Sequence, residues 1–384
     1  MRILYFSSDY GPHDHRFLTA LAGTSNEIYY LRLLNGTHQD EDRSVPPKVH
    51  QLGSAGSSAV FRWRDIVRYV LNVRRVVREV KPDLIHAGPI QSCALIAVLS
   101  GFRPVLTMSW GFDLMQDADR NAWWRWVTRY ALNRSAYFVS DARVTRSKAI
   151  DLGMRRDRTA VFPWGVDLQH FSPGRRKDRR ASRSQAADKA KPRLAPRSTK
   201  RQPFVLLCNR SWEPRYGVDV LGRAFAQVAR EAPAVSLLLL GGGSQANALR
   251  GILAEAEARG RVHYGGHVSQ SALPGYYRNA SLFISPSHVD GSSVSLMEAL
   301  ACGTPVLVSD IPANREWVRD GANGWLFRDG DADDLKRKIL WIAHHRRLLP
   351  SVSHEARKVA EARADWKKNF QVLLRSYDAT ISAG

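Results

Sequence analysis

The chain has 384 residues, 44% of them hydrophobic, and a formal net charge of +21. That length suits two packed domains, and the apolar content excludes a mostly disordered chain. There is no uncharged apolar run of ~18 residues, which excludes a membrane-spanning helix. The N-terminal apolar stretch is too short for a signal peptide. We therefore expect a cytoplasmic protein with an anionic partner.

Short apolar runs alternate with segments of helical period, and this pattern occurs twice. Alternating strands and helices predict parallel sheets covered on both faces. We therefore predict an α/β fold of two doubly wound, Rossmann-like domains, residues 1–173 and 204–349. The predicted strands are 2–6, 83–87, 104–108, 136–139, 159–162, 204–208, 235–240, 261–264, 280–285 and 305–308.

Two segments lie outside these domains. Residues 174–203 hold twelve Lys or Arg and two Asp, a charge of +10 (12 − 2). Because they contain a single large apolar side chain, we predict a disordered basic linker. In residues 350–384 one helical face gathers large apolar side chains and is predicted to pack on a domain. These are Trp366, Phe370, Leu373, Leu374 and Tyr377.

The three cysteines, Cys93, Cys208 and Cys302, lie far apart in apolar surroundings. Their spacing fits neither a disulfide framework nor a metal-binding pair. We predict buried free thiols.

A charged and glycine-rich segment follows the predicted strand 280–285. Gly291, Ser292 and Ser293 open a helix there, so backbone N–H groups and hydroxyls become available to a diphosphate. Asp290 precedes that helix and Glu298 follows eight residues later, about two turns along. One carboxylate is therefore expected beside the phosphates and the other near a ribose.

Two more strand ends carry candidate ligand groups. Arg210 and Arg215 follow strand 204–208, and guanidinium groups pair well with phosphate oxygens. The glycines 241–243 follow strand 235–240, and a ligand can approach the backbone closely there. A plain tight turn explains those glycines equally well.

These motifs resemble the family-four retaining glycosyltransferases of the GT-B fold, the group-1 glycosyl transferase type. Asp290 and Glu298 match the E-x7-E signature, with Asp in place of the first Glu, and residues 298–305 continue the match. Residues 162–167 resemble the N-P-x-G-V-D segment, and residues 264–268 resemble the loop that holds the nucleobase. The resemblance implies two domains facing each other and a C-terminal helix crossing back to the first.

The resemblance also implies roles in the second domain, which would bind the nucleotide-sugar donor. Arg210 would neutralise the diphosphate, and Asp290 would contact the transferred sugar. Glu298 would hold the ribose, and His267 and Val268 would lie at the base. The family's lysine is replaced by Tyr216, with Arg215 beside it. Neither a metal nor a cofactor is expected.

The first domain would bind the acceptor, and its candidates are fewer. His13 and His15 follow the first strand, where they could polarise a hydroxyl or cap the next helix. His86 lies at a strand end and is as readily structural. Trp110 and Asp113 resemble the family's H-G-x-D loop, with Trp110 in place of the histidine. A sugar could stack on that indole, or the indole could belong to the core.

Two basic helices with apolar residues suggest peripheral attachment to the inner face of a membrane. Residues 62–80 carry six arginines, and residues 121–133 hold Trp123, Trp124 and Trp126 beside Arg125 and Arg129. Covering a sheet is the plainer explanation for both.

The resemblance implies a retaining, metal-independent transferase. It would move a hexose-type sugar from a nucleotide-sugar, UDP- or GDP-linked, to a glycan or lipid-linked acceptor in cell-envelope or extracellular polysaccharide synthesis. The alternatives are a basic nucleic-acid- or membrane-binding protein without catalysis, or another GT-B enzyme such as an epimerase. No common nucleic-acid-binding module is present, so a nucleic-acid partner is not expected.

Overall fold

The computed structural model describes residues 1–34, 41, 43–56, 60–174 and 203–384. Two compact units make up the chain. The first comprises Met1–Pro163 and Phe370–Gly384, and the second comprises Trp164–Asn369. Apart from its two end residues, the predicted linker 174–203 lies outside the described residues.

The first unit contains a seven-stranded sheet in which every pair of neighbours is parallel. Its strands are Arg2–Ser7 (β1), Glu27–Arg32 (β2), Val49–Ser54 (β3), Leu84–Ala87 (β4), Val105–Met108 (β5), Tyr137–Ser140 (β6) and Thr159–Val161 (β7). Their order is β3-β2-β1-β4-β5-β6-β7. The α-helices between them are Pro12–Ala22, Ile66–Val80, Leu95–Leu99, Phe112–Met115, Ala122–Arg134 and Arg143–Asp151.

The second unit contains a six-stranded parallel sheet. Its strands are Phe204–Cys208 (β8), Val235–Leu240 (β9), Val262–Gly266 (β10), Leu282–Ser285 (β11), Val306–Ser309 (β12) and Trp325–Phe327 (β13). Their order is β10-β9-β8-β11-β12-β13. The α-helices are Val218–Glu231, Ala246–Ala258, Leu273–Asn279, Val294–Ala301, Pro312–Arg315, Ala332–His344 and Leu349–Arg363.

Both sheets follow from the sequence in the same way. Central strands such as β9 and β11 are buried along their whole length, so they consist almost wholly of large apolar residues. In each sheet the strand order reverses, between β1 and β4 and between β8 and β11. Such reversals open a crevice at the carboxyl ends of the strands, where doubly wound folds bind ligands.

All ten predicted strands are present, with ends that differ by at most two residues. Three strands were missed, and two of them lie at sheet edges. The edge strand β3 has one fully buried residue and β13 is three residues long, so neither shows a run of apolar residues. In contrast, β2 is rich in Ile, Tyr and Leu and could have been found.

The division between the units differs from the predicted boundary at residue 173. Val166 pairs with the segment before the last helix: its N–H donates to the Ala364 carbonyl at 2.7 Å, and Trp366 N–H donates back at 3.1 Å. This pairing places residues 164–173 in the second unit. The last helix, Trp366–Ala383, begins in the second unit and contributes its residues from Phe370 onward to the first.

Cys93, Cys208 and Cys302 are buried and free, as predicted. Across the part of the chain that the structure describes, every helix is too short or too polar to cross a bilayer.

Candidate functional site

The second unit brings its predicted residues together at the reversal in strand order. Arg210 follows β8 directly, and Asp290 lies in the loop after β11, the strand that pairs with β8. The helix that carries Glu298 begins at the end of the same loop. The loops after β8 and β11, which the sequence predicted to carry the site, therefore lie side by side at one edge of the second sheet.

The Arg210 guanidinium is held on three sides. Its Nη2 lies 2.8 Å from Asp290 Oδ2, and its Nη1 donates to the Ser293 and Ser295 hydroxyls at 2.8 and 3.1 Å. The ring of Tyr216 lies under it, 4.3 Å from Cζ. Tyr216 thus supports the arginine by a cation–π contact at the position where the resembled family has a lysine. Of the groups described around the Arg210 guanidinium, Asp290 is the only anion.

Asp290 is a carboxylate with little exposure to solvent. Its side chain is 15% exposed, and burial raises its pKa above the ordinary range, opposed by the charge of Arg210 and by the Gly291 backbone N–H. Ser293 caps the following helix, accepting from Leu296 N–H. The loop therefore concentrates one positive and one negative charge at the start of a helix, where an anion is favoured.

Glu298 is linked to the end of β8 by a tyrosine that the sequence did not single out. Tyr277 donates its hydroxyl to Glu298 Oε2 at 2.7 Å and accepts from Asn209 Nδ2, also at 2.7 Å. Gln270 donates to Glu298 Oε1 at 2.9 Å. Burial, then the charge of Glu298, raises the pKa of Tyr277 well above its ordinary value. Asn209 and Arg210 are neighbours in sequence, so one strand end orients both carboxylates.

Other donor-side candidates lie around this core with different exposure. His267 is exposed and Val268 is half-buried, at the end of the edge strand β10. The Arg215 carbonyl accepts from His288 N–H at 3.0 Å, which fixes its loop against the Asp290 loop. Ser292 is buried, and its hydroxyl accepts from the Trp317 indole at 3.3 Å. A contact of Ser292 with a phosphate stays a prediction.

In the glycine turn after β9, Gly243 is required by packing. A Cβ at Gly243 would lie 2.6 Å from the Trp212 carbonyl, so the turn needs glycine for this close approach. Glu213 accepts from Ser244 N–H at 2.8 Å, just before the helix Ala246–Ala258. A carboxylate of the protein thus already occupies that helix start, and the plain-turn explanation holds there.

In the first unit, the histidines after β1 differ in setting. His15 Nδ1 lies 2.7 Å from the Tyr10 hydroxyl, and burial, then the charge of Arg43, lowers its pKa. His13 is half-buried, with its ring 6.1 Å from that of Trp110. Between them Asp14 is buried and accepts from Gly11 N–H at 3.0 Å, which caps the helix. His13 and Trp110 are therefore the paired acceptor-side candidates.

Two acceptor-side candidates are fully buried. Asp113 accepts from Ser109, Trp110, Leu114 and Ile90, and burial raises its pKa to about 6 against these donors. His86 lies 2.8 Å through Nδ1 from the Tyr377 hydroxyl, and burial lowers its pKa to about 3. Asp113 thus shapes the Trp110 loop, and His86 fastens the last helix to the first sheet. Direct contact of either with an acceptor stays a prediction.

Two family models match the chain, one in each half. The model of Glycosyltransferase Family 4 matches residues 15–170, and that of Glycosyl transferases group 1 matches residues 191–377. D-inositol 3-phosphate glycosyltransferase of Nocardia farcinica is 33% identical over 237 residues, 60% of this chain and 49% of that protein. The chain spans about half the length of the relatives it matches.

Solved structures match the fold along its whole length. Sucrose-phosphate synthase of Thermosynechococcus elongatus has a TM-score of 0.81 at 19% identity, with 100% of both chains covered. Anabaena Alr3699/HepE, in complex with UDP and glucose, has a TM-score of 0.77 at 18% identity, covering 98% of this chain and 99% of that one. At these identities the likeness concerns the fold.

The two parallel-sheet units, together with the likeness to solved structures over nearly the whole chain, define the GT-B fold of the glycosyltransferases. Within that class the two family models assign the chain more narrowly. It belongs to the group-1 glycosyl transferases, with a first half of the Family 4 type.

Proposed function

We propose that this chain is a glycosyltransferase that moves a hexose-type sugar from a UDP- or GDP-linked donor to a glycan or lipid-linked acceptor. Transfer would proceed with retention of the anomeric configuration and without a metal ion. The product would serve cell-envelope or extracellular polysaccharide synthesis, at the cytoplasmic face of the membrane. The observation that carries the proposal is the cluster of Arg210, Asp290 and Ser293 beside the Tyr277–Glu298 pair.

The donor's diphosphate would bind at Arg210 and at the start of the helix Val294–Ala301. A guanidinium and helix N–H groups, fixed before the substrate arrives, stabilise the charge that develops on a leaving diphosphate. Arg215, in the same loop, would add a second positive charge. Fixed charges of this kind can provide the neutralisation that a metal provides in other phosphate chemistry.

The nucleoside would extend from the diphosphate along that helix. Glu298 is oriented by Tyr277 and Gln270, so its carboxylate is suited to hold two ribose hydroxyls. His267 and Val268 would contact the base. The transferred sugar would lie next to Asp290, which is the carboxylate nearest the proposed diphosphate position.

The acceptor would bind to the first unit at the carboxyl ends of β1 and β5. Trp110 is half-buried and offers a flat apolar face of the kind on which sugar rings stack. His13 lies beside it and could accept a proton from a hydroxyl group. His15, His86 and Asp113 would support these two from behind.

The test is nucleotide binding followed by turnover. Calorimetry against UDP, GDP and ADP should show saturable binding of UDP or GDP. The affinity should be about a hundredfold lower in Arg210→Ala, the scale expected when a charged partner of a phosphate is lost. Glu298→Ala should abolish the thermal stabilisation by that nucleotide. Arg223→Ala is the matched control, because Arg223 pairs with Asp219 on an exposed helix face. Absence of binding by all three nucleotides would overturn the proposal.

A turnover assay then tests whether the anomeric configuration is retained. Proton NMR of the fresh product, or of sugar released by slow donor hydrolysis, should show the same anomer as the donor. Chelators should leave the rate unchanged. Inversion at the anomeric carbon would contradict the retaining reaction while leaving donor binding intact.

A further inference from the structure

The first unit exposes large apolar side chains on two neighbouring helices. Val67 and Leu71 of the helix Ile66–Val80 are 66% and 53% exposed, and Trp123 and Trp126 of the helix Ala122–Arg134 are 52% and 54% exposed. Both helices also bury a separate apolar face against the sheet, including Val73 and Val127. Covering the sheet therefore explains only the inner face of each helix.

The two exposed tryptophans form a cluster with the half-buried Trp63, and Val67 and Leu71 follow Trp63 at a spacing of four and eight residues. Trp63, at the start of the first helix, lies edge-on to Trp123 at 5.7 Å between ring centroids and to Trp124 at 6.0 Å. Trp123 and Trp126 stack on each other at 5.2 Å. We call this set, Trp63, Val67, Leu71, Trp123 and Trp126, the aromatic surface.

Arginines border the aromatic surface. Residues 62–80 contain six Arg against one Asp and one Glu, and residues 120–134 contain four Arg with neither Asp nor Glu. A groove beside Trp126 is lined by Arg125, Arg129 and Arg134. Guanidinium groups at such a groove match the phosphates of lipid headgroups.

The aromatic surface lies at the acceptor edge of the first sheet. The helix Ala122–Arg134 follows the loop after β5, so its first turns, with Trp123 and Trp126, start from the carboxyl edge. The helix Ile66–Val80 leads into β4, so its N-terminal end with Val67 is also at that edge. Trp110 lies at the same edge, directly after β5.

We infer that the aromatic surface docks on an anionic lipid bilayer, with Trp123 and Trp126 in the headgroup region and the surrounding arginines on lipid phosphates. Tryptophan favours this interface because its ring is apolar and its N–H is polar. Exposed aliphatic residues such as Val67 and Leu71 gain from lipid and gain nothing from the phosphates of a nucleic acid. The docking deepens the proposed function, since it brings the acceptor edge to a lipid-linked substrate.

The experiment is vesicle flotation of the full chain at low salt, with neither donor nor acceptor present. Vesicles of phosphatidylcholine with phosphatidylglycerol are compared with vesicles of phosphatidylcholine alone. The test variant is Trp123→Gln with Trp126→Gln. The control is Trp341→Gln, which removes a tryptophan that is 44% exposed on the second unit. Thermal unfolding confirms that each variant folds.

The wild-type chain should float with the anionic vesicles and not with the neutral ones. The double variant should lose about tenfold or more in partitioning, while the control binds as the wild type does. Arg125→Gln with Arg129→Gln should also weaken binding to the anionic vesicles. If the double variant still floats like the wild type, the basic residues 175–202 or another surface carry the binding, and the inference is wrong.

Two other outcomes would also overturn the inference. One is failure of the wild type to float, and the other is duplex DNA binding that is lost in the double variant and displaces the vesicles. Nucleotide binding is measured separately on the same preparations. A failure of docking with intact nucleotide binding therefore leaves the proposed transferase in place, and the reverse result rejects the transferase alone.

Discussion

Arg210 and Asp290 form an ion pair with 2.8 Å between Nη2 and Oδ2, and their side chains are only 11% and 15% exposed. A pair so poorly hydrated is stable only while both partners are present. A diphosphate arriving at Arg210 would bring negative charge next to Asp290. Under the proposed function, donor binding and this ion pair would compete for one guanidinium. The longer Glu of the resembled signature would hold its carboxylate at a different distance from that group.

Asp290→Asn should separate binding from turnover. Removing the carboxylate charge frees Arg210 and removes a repulsion, so the nucleoside diphosphate should bind about three- to tenfold more tightly. Transfer should nevertheless slow by about a hundredfold, because the contact with the reacting sugar is lost. Calorimetry with the free nucleotide and a turnover assay give the two numbers. Weaker nucleotide binding in this variant would show that Asp290 does not oppose the diphosphate.

Tyr277→Phe should loosen the ribose carboxylate. The substitution removes the hydroxyl between Asn209 and Glu298, so the half-buried amide of Asn209 and an oxygen of the buried Glu298 carboxylate each lose a partner. The free energy of unfolding of the second unit should fall by about 1–3 kcal/mol. Nucleotide affinity should fall about tenfold as Glu298 loses its fixed position.

Tyr276→Phe is the matched control for that change. Tyr276 is the neighbouring residue on the same helix and is half-buried, so it loses the same atom in a more solvated setting. Denaturant unfolding and calorimetry should show it close to the wild type. Equal losses in both variants would mean that the Tyr277 hydroxyl has no special role.

Gly217→Ala should damage the Arg210 loop through the backbone. Gly217 has φ of +59°, and a Cβ there would lie 2.2 Å from the Pro286 carbonyl, which belongs to the segment after β11. The loop would have to move, and a cost of about 2 kcal/mol or more is expected. Gly251→Ala, in the middle of a helix with open space around it, should instead stabilise by about 0.5–1 kcal/mol. Differential scanning calorimetry distinguishes the expected loss of stability in Gly217→Ala from the expected gain in Gly251→Ala.

His86 should make the first unit sensitive to acid. Burial lowers its pKa from 6.5 to about 3 in the folded chain, so the imidazole stays neutral there and is protonated in the unfolded chain at higher pH. Its contribution to stability is present above about pH 6.5 and is lost as the pH falls towards 3. Relative to His86→Gln, the wild type should lose on the order of 2 kcal/mol by about pH 4.5.

Near-UV circular dichroism of urea unfolding at several pH values measures this effect. Tyr377→Phe removes the hydrogen bond to His86 Nδ1 but leaves the imidazole buried. That variant should be less stable at every pH and keep the wild-type slope. A wild type and a His86→Gln variant with parallel pH profiles would show that His86 is hydrated or protonated in the folded chain.

The fold could be predicted from the sequence because its signal is local. Strands buried on both faces are apolar without interruption, as in β9, and the helices between them have their own period. The edge strands β3 and β13 have no such requirement and were missed. The division of the chain at Pro163 could not be read from the sequence, because the pairing of Val166 with the segment around Ala364 joins residues that are far apart in the chain.

The site was predictable only as a set of residues at strand ends. The alternation of strands and helices was enough to place Arg210 and Asp290 at strand ends and Glu298 on the following helix. The pairing of β8 with β11, which brings them together, could not be inferred from it. Tyr277, Gln270 and Asn209 could not be found, since a tyrosine in a short amphipathic helix looks like any core residue. Their roles depend on hydrogen bonds across more than twenty residues of sequence.

By itself the sequence determined two doubly wound units, the strand ends that carry charge, and the glycines that need an unusual backbone. These properties depend on the spacing of hydrophobic residues and on backbone preferences, and both are fixed by the sequence of each segment by itself. The tertiary structure decided which partner each charged group has. Asp290 pairs with Arg210, Glu298 accepts from Tyr277, and Glu213 accepts from Ser244 just before a helix. Partner choice is fixed by strand order and by burial, and neither is a property of any single segment.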